Sequence, residues 1–414
     1  MLQTDVKRRN NCRLCSSTQL DLVLPLEKTA PADAFVTQFE LDRPQSIYPL
    51  DLFMCRSCGH AQLLDVVNPD ILFGKYSYET KNSPGLVEHF RKYADEITTW
   101  ANLKPNSFAV DIGSNDGTLL KFFKNKGLRV LGVDAAKEIA QKATESGVET
   151  IGGYFTSQIA SQIRQERGGV SLITANNVFA HADALGDLAD GVRLLLAPDG
   201  IFVFEVSYLG DLVHGMVFDY IYHEHLCYHS VKPLKFFMER HGLELIEVDP
   251  IGTKGGSLRC IAQLAGGPRK ASSNVEYLVQ REEEQGLYNP ALFQDLVCRI
   301  DAVKAELREK LDRLKFQNKC IVGYGASATV TTLMYHFGLA SYFDYIVDDN
   351  PVKQGLFSPG HHLPVYSSGR LYEQKPDCIV ILAWRFAELI AQKHKRFLQE
   401  GGQMIVPLPQ CVSL

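Results

Sequence analysis

Three groups of residues in this chain have the types and spacing to do chemistry. The first is Tyr222-His223-Glu224-His225, set within Phe218 to His229, where histidines and tyrosines crowd around a single glutamate. Imidazole titrates near neutral pH and a tyrosine hydroxyl can donate to a developing oxyanion, so this density suits proton transfer. It is not a metalloprotease helix, because H-E-x-x-H would need a histidine where Cys227 stands. A second metal site and a simply polar loop are the other readings of the same residues.

The second group is Cys12-x-x-Cys15 with Cys55-x-x-Cys58, separated by 39 residues. Two matched knuckles of this kind make a tetrahedral four-thiolate zinc site. His60 follows the second knuckle and could replace a cysteine, although four thiolates already fill a structural site. Between the knuckles lie Pro25, Pro31, Pro44 and Pro49, which point to short strands and loops unable to bury a core without metal.

The third group organises the chain. Phe108 to Ile112 is an apolar run that ends around Asp111, and Gly113-Ser114-Asn115-Asp116-Gly117 turns it into a helix opening at Thr118. In an open α/β sheet the ligand crevice lies at such strand ends, beside a helix N-terminus. A dinucleotide loop wants G-x-G-x-x-G around a pyrophosphate. This loop instead offers polar side chains and an acid, which suit a ligand with an ammonium and hydroxyls. S-adenosylmethionine (SAM) is such a ligand. The next strand, Leu128 to Val133, ends in Asp134, placed to take both ribose hydroxyls.

The elements that must position these groups follow from pattern. At 414 residues the chain exceeds one core, so two or three domains are expected. A net charge of −5 without a long basic run argues against nucleic acid. No apolar run is long enough to span a membrane, and the first residues lack a signal-peptide core. A reducing, cytoplasmic setting is expected, with the ten cysteines as thiols or ligands.

Val87, Phe90, Tyr93, Ala94, Ile97 and Trp100 predict a helix over Leu86 to Trp100. Strand ends fall near Asp111, Asp134, Ile151, Asn176 and Glu205, with helices between, as in a doubly wound parallel sheet. Polar residues gather at those ends in Asn176-Asn177-Val178-Phe179-Ala180-His181. A charged stretch from Asn274 to Phe316 reads as a connecting helix. Then Ile321-Val322-Gly323-Tyr324-Gly325-Ala326 and Ile346-Val347-Asp348 repeat the strand, glycine turn and acid of the middle region. Gly113 to Asp134 spans 21 positions and Gly323 to Asp348 spans 25, which predicts a degenerate tandem copy.

The order of motifs extends this reading. Paired C-x-x-C, Tyr76-Ser77-Tyr78-Glu79, the Asp111 to Gly117 loop, Asn177 to His181, Tyr222 to His225, Gly255 to Arg259 and Gly323-Tyr324-Gly325-Ala326 together resemble the sugar C-methyltransferases over nearly the whole chain. The resemblance implies three units. These are a zinc-binding domain at 1–70, a Rossmann-like SAM domain at 71–265 and a C-terminal Rossmann-like copy at 266–414 that closes the cleft. It implies SAM and structural Zn²⁺, and a dTDP- or GDP-linked 4-keto-6-deoxysugar methylated at C3. The protein would be a monomer or small homo-oligomer.

The resemblance makes His225 the base, supported by Tyr222 and Glu224, with Tyr76 and His181 lining the pocket. Tyr78, Asp111, Gly113, Asn115, Gly117, Asp134 and Asn177 would hold the cofactor, and Cys12, Cys15, Cys55 and Cys58 the zinc. The chain departs from the family at Thr329, where a lysine is usual, and at Tyr154, where many SAM enzymes place an acid.

Other classes use the same residues differently. A SAM-dependent N- or O-methyltransferase needs no keto group, an NAD-dependent nucleotide-sugar oxidoreductase would use Gly323-x-Gly325, and a zinc-ribbon interaction protein would leave Tyr222 to His225 idle. Ligand thermal shift separates them. SAM should raise the unfolding midpoint and NAD(H) should not, because the Gly323 loop lacks the third glycine. Tight NAD(H) binding would refute the reading of the C-terminal unit as a wall of the cleft that binds no dinucleotide.

Overall fold

The computed structural model describes residues 5–73 and 79–414. Tyr76 and Tyr78 lie outside the described residues. Three sheets and a two-stranded ribbon account for the strands.

The N-terminal unit contains β1 (Val6–Arg8), β2 (Leu20–Leu24), β3 (Leu52–Cys55), β4 (Ala61–Leu63) and β5 (Asp65–Val67). Its four thiol sulfurs lie within 4.8 Å of one another. Cys12 and Cys58 are 3.7 Å apart, and Cys15 and Cys55 are 3.5 Å apart. A tetrahedral ion with Zn–S bonds of about 2.3 Å needs sulfurs roughly 3.8 Å apart, so the set fits zinc. His60 is fully buried and is not part of the cluster.

The central sheet begins with β6 (Phe108–Ile112), buried at every residue, as a strand covered on both faces must be. It continues with β7 (Arg129–Asp134), β8 (Thr150–Gly152), β9 (Val170–Asn176) and β10 (Leu196–Ser207). The next strand, β11 (Cys227–Tyr228), leaves this sheet and pairs with β4 of the N-terminal unit. Finally β12 (Leu243–Ile251) and β13 (Ser257–Leu264) form a hairpin on the central sheet. The order is β12-β13-β10-β9-β6-β7-β8, and β13 runs antiparallel to both neighbours. The sheet is therefore not wholly parallel as the alternation predicts. Ser257 to Arg259, from the Gly255 to Arg259 motif of the family resemblance, open the reversed strand.

Helix Pro84–Trp100 starts with proline at its first position, where the missing N–H costs nothing, and buries Phe90, Tyr93, Ala94 and Ile97. The stretch expected as one helix from Asn274 to Phe316 is two, Ser273–Glu284 and Pro290–Phe316. Gly286 in a left-handed conformation and Pro290 break the run. The first helix packs Val275 and Leu278 into the core of the central sheet. The second is capped by the Asn289 side chain and presents Phe293, Leu296, Ile300, Val303, Leu307 and Leu311 as one stripe. That stripe joins the N-terminal unit to the last sheet in a single hydrophobic core.

The last sheet contains β14 (Ile321–Tyr324), β15 (Ile346–Val347), β16 (Val365–Tyr366), β17 (Cys378–Ile381), β18 (Gln403–Val406) and β19 (Val412–Ser413), in the order β16-β15-β14-β17-β18-β19. It repeats one local device of the central sheet. Asp134 accepts the amide of Asn115 at 2.8 Å and that of Ala136 at 2.8 Å. Asp348 accepts the amides of Ala326 at 2.5 Å and Asn350 at 2.7 Å. In both, a strand-end acid pins the glycine turn of the neighbouring strand. Among the described residues no helix is long and apolar enough to cross a membrane.

Purified protein should contain about one zinc per chain. Cys12→Ser should lower both metal content and folded yield, because Cys12 is buried beneath the N-terminal unit and its ligation is folding energy. A zinc-free chain with an unchanged unfolding midpoint would contradict this.

Candidate active site

One large cleft, about 1390 Å³, opens where the carboxyl ends of the central sheet face the last sheet. Its rim is set by the turn after β6. Gly113 (φ +70°) and Gly117 (φ +75°) adopt left-handed backbone, and a Cβ on Gly113 would collide with Val178. Asp111 lines the cleft, is 4% exposed, and accepts the Thr174 hydroxyl at 2.6 Å. Burial, with Asp134 nearby, pushes its carboxyl up to about 7. Burial also raises Asp134, against the pull of its two amide donors.

The polar side chains of the turn have structural partners. The Asn115 side-chain oxygen accepts the Thr80 amide at 2.9 Å, and Asp116 accepts the Lys81 amide at 3.0 Å. They dock the segment before helix Pro84–Trp100 onto the turn. The same helix is also held at His89, where Glu205, 2% exposed, pairs with His89 and Arg259, each at 2.8 Å. Leu86 and Phe90 of that helix then wall the cleft. Asn177 (φ +58°) continues the rim after β9, with its amide on the Glu205 carbonyl at 2.8 Å.

The histidine–tyrosine stretch resolves into two sets. His225 lines the cleft with Tyr220, Tyr222, Glu224 and His181. Its ring centroid is 4.0 Å from Tyr222, 4.9 Å from Tyr220 and 4.9 Å from His181. The Tyr220 carbonyl lies 3.0 Å from His225 Nδ1. A carbonyl only accepts, so Nδ1 carries the proton and Nε2 is the basic nitrogen. Burial holds the Tyr222 phenol well above its usual range, which keeps it a donor. His223 and His229 are buried elsewhere. His223 faces the Tyr48 carbonyl at 3.3 Å, and desolvation lowers it to about 4; His229 falls to about 3 for the same reason.

The opposite wall holds residues that the sequence reading did not place among the site residues, Thr329 having been singled out only as a departure from the family. Ser327, Ala328 and Thr329 follow β14, and Trp384 to Leu389 follow β17. The order of the last sheet reverses between β14 and β17, so this wall is its switch point. Arg385 is bonded to Asp219 at 3.1 Å and to the Thr329 hydroxyl at 3.3 Å. The available signal was an arginine just past the end of an apolar strand. Tyr154, more than half exposed, also lines the cleft.

Similarity searches now bear on this arrangement. A family described as the C-methyltransferase C-terminal domain matches residues 252–409, a methyltransferase domain family matches 87–248, and a zinc-binding domain family matches 12–73. C-methyltransferase NovU of Streptomyces niveus is 32% identical over 99% of this chain and 98% of its own length. The chain belongs to the C-methyltransferase family. It is a SAM-dependent C-methyltransferase with a zinc-binding N-terminal unit. Among solved structures, the CcbJ methyltransferase of Streptomyces caelestis overlaps 47% of this chain and 94% of its own, at 14% identity and TM-score 0.35. The PH0226 protein of Pyrococcus horikoshii overlaps 45% and 94%, at 15% and 0.37.

The rim of this C-methyltransferase fits SAM by chemistry. Two buried carboxylates, Asp111 and Asp134, suit an ammonium and vicinal hydroxyls, and the bare Gly113 turn admits close approach.

Asp111 carries a pH signature. An unfolded aspartate titrates near 3.9, whereas here the value is about 7. The folded chain binds this proton more tightly, so Asp111 contributes stability that is full below about pH 4 and lost as pH rises through about 7. Asp111→Asn, measured by thermal unfolding without ligand, should flatten the decline across that window. An unchanged slope would mean that Asp111 does not titrate there.

Proposed function

We propose that this C-methyltransferase adds a methyl group to C3 of a nucleotide-diphosphate-linked 4-keto-6-deoxysugar, through an enolate, in branched deoxysugar biosynthesis. The observation that carries the reading is His225, with Nε2 as its basic nitrogen and the Tyr222 ring tilted against it at 4.0 Å. Carbon methylation needs a carbanion equivalent, and a sugar carbon becomes one only beside a carbonyl. A 4-keto group acidifies the C3 proton. The base takes that proton, and an aimed hydroxyl stabilises the enolate oxygen. SAM, when bound, supplies an electrophilic methyl on a sulfonium.

The roles follow. His225 removes the C3 proton, Tyr222 donates to the enolate oxygen, and Glu224 orients the cluster. His181, 4.9 Å from His225 ring to ring, lines the pocket and is the rival base. Tyr76 and Tyr78 lie outside the described residues, and the family resemblance alone gives the first to the acceptor pocket and the second to the cofactor set. Asp111, Gly113, Asn115, Gly117, Asp134 and Asn177 form the donor side. For Asn115 the support is indirect, since its side-chain oxygen already holds Thr80.

Three observations support an acceptor longer than a simple sugar. The cleft exceeds the roughly 300–1,000 Å³ usual for a small-ligand pocket. Its far wall is the switch point of the last sheet, and it offers the guanidinium of Arg385 and the N-terminus of helix Ala328–Phe337 to an anion. In this reading 1–70 is the zinc unit, 71–265 binds the donor and 266–414 closes over the nucleotide.

Solvent isotope exchange tests the base. With a keto-sugar nucleotide and no methyl donor, deuterium should wash into C3. His225→Asn should abolish exchange and methylation together, a loss of about 10²–10⁴-fold. If exchange survives in His225→Asn and fails in His181→Asn, the two roles are reversed. If both variants exchange normally, neither histidine is the base.

A further inference from the structure

The turn Phe218–Tyr220 precedes the base. Asp219 is fully buried. Its carboxylate accepts Trp384 Nε1 at 2.9 Å and Arg385 Nη1 at 3.1 and 3.3 Å, both from the segment after β17. The guanidinium carbon of Arg385 also lies 5.5 Å from the Tyr220 ring. The next residue, Tyr220, supplies the carbonyl that holds His225 Nδ1.

We propose that Asp219 is a positioning residue for the reaction. By pinning the 218–220 turn to Trp384 and Arg385 it sets the Tyr220 carbonyl, and through that carbonyl the orientation and tautomer of His225. The proposal rests on the reading of His225 as the base. A buried carboxylate–guanidinium pair contributes little net stability, because desolvation offsets attraction, but it fixes geometry. The placement fits that use. The turn has independent anchors for its fold: Thr332 Oγ1 donates to the Ile221 carbonyl at 2.6 Å, and Phe218 stacks on Phe337 at 5.5 Å. What the carboxylate adds is direction, at the residue beside the carbonyl that selects which imidazole nitrogen is basic. The last sheet thereby becomes part of the support of a base that lies across the cleft from it.

The test is ¹⁵N NMR of histidine-labelled full-length protein, with the His225 signals assigned by their loss in His225→Asn. The intact protein should show His225 as the single Nδ1–H tautomer. Asp219→Asn keeps the volume and removes the charge. It should give a mixture of tautomers and lower kcat by about 10²-fold, as misplacement of a catalytic group does, while SAM affinity and zinc content are unchanged. Arg385→Lys should move both readouts in the same direction. If Asp219→Asn does not fold, Trp384→Phe removes one donor to the same carboxylate and should also mix the tautomers. A single unchanged tautomer in the folded variants overturns the proposal. Failure of isotope exchange in the intact enzyme would instead overturn the base assignment, and the tautomer signal would still decide the role of Asp219.

Discussion

The structure depends on one constraint, the burial of residues 218–229 between all three units. This segment leaves the central sheet after β10, and much of its bonding is to the other two units. Asp219 is held by Trp384 and Arg385, Ile221 by Thr332, His223 by the Tyr48 carbonyl, and Leu226 to Tyr228 by Arg13 and strand β4. A buried backbone needs a partner for each polar group, so a chain that threads between units couples their geometry. The base-bearing loop cannot be built by the central sheet alone.

That coupling explains why a small zinc unit belongs to this enzyme. Four thiolates and a few short strands make a poor core, and metal supplies the folding energy that burial cannot. Yet the unit is not an appendage. Cys227 and Tyr228 form the edge strand of its sheet, and Arg13, whose side chain is buried, reaches the carbonyls of Leu63 and Leu226. The zinc cluster thus supports one side of the loop that carries His225, while the last sheet supports the other.

The two sheets use the same turn chemistry for unlike purposes. Asp134 and Asp348 each accept two backbone amides and fix a glycine turn. In the central sheet that turn leaves Asp111 and Gly113 facing the cleft. In the last sheet Gly325 is packed against Ala383, and the cleft-facing groups are Ser327, Thr329 and Arg385. Where the family resemblance leads one to expect a lysine, Thr329 accepts from Arg385. Cation and hydroxyl are divided between two strand ends.

Local pattern was enough for much of this. The paired C-x-x-C spacing specified four sulfurs that converge, because ligand geometry constrains sequence directly. Apolar runs ending in an acid (β6, β7 and β15) or in a glycine turn (β14) specified these parallel strands, since a strand covered on both faces must be largely apolar. The reversed strand β13 escaped, because a hairpin at a sheet edge reads like any short strand after a glycine pair. The break at Gly286 and Pro290 was visible but outweighed by charge and periodicity on both sides. For the site, residue types named the cluster, and only tertiary contacts sorted it. His223 and His229 have the same chemistry as His225, yet desolvation depresses the first two, and the Tyr220 carbonyl selects the basic nitrogen of the third. Arg385 and Asp219, 166 positions apart, meet only because the last sheet folds back over the cleft. Spacing along the chain determines which ligands and strands form; which ionisable groups share one cavity is decided by long-range packing, to which no local pattern is sensitive.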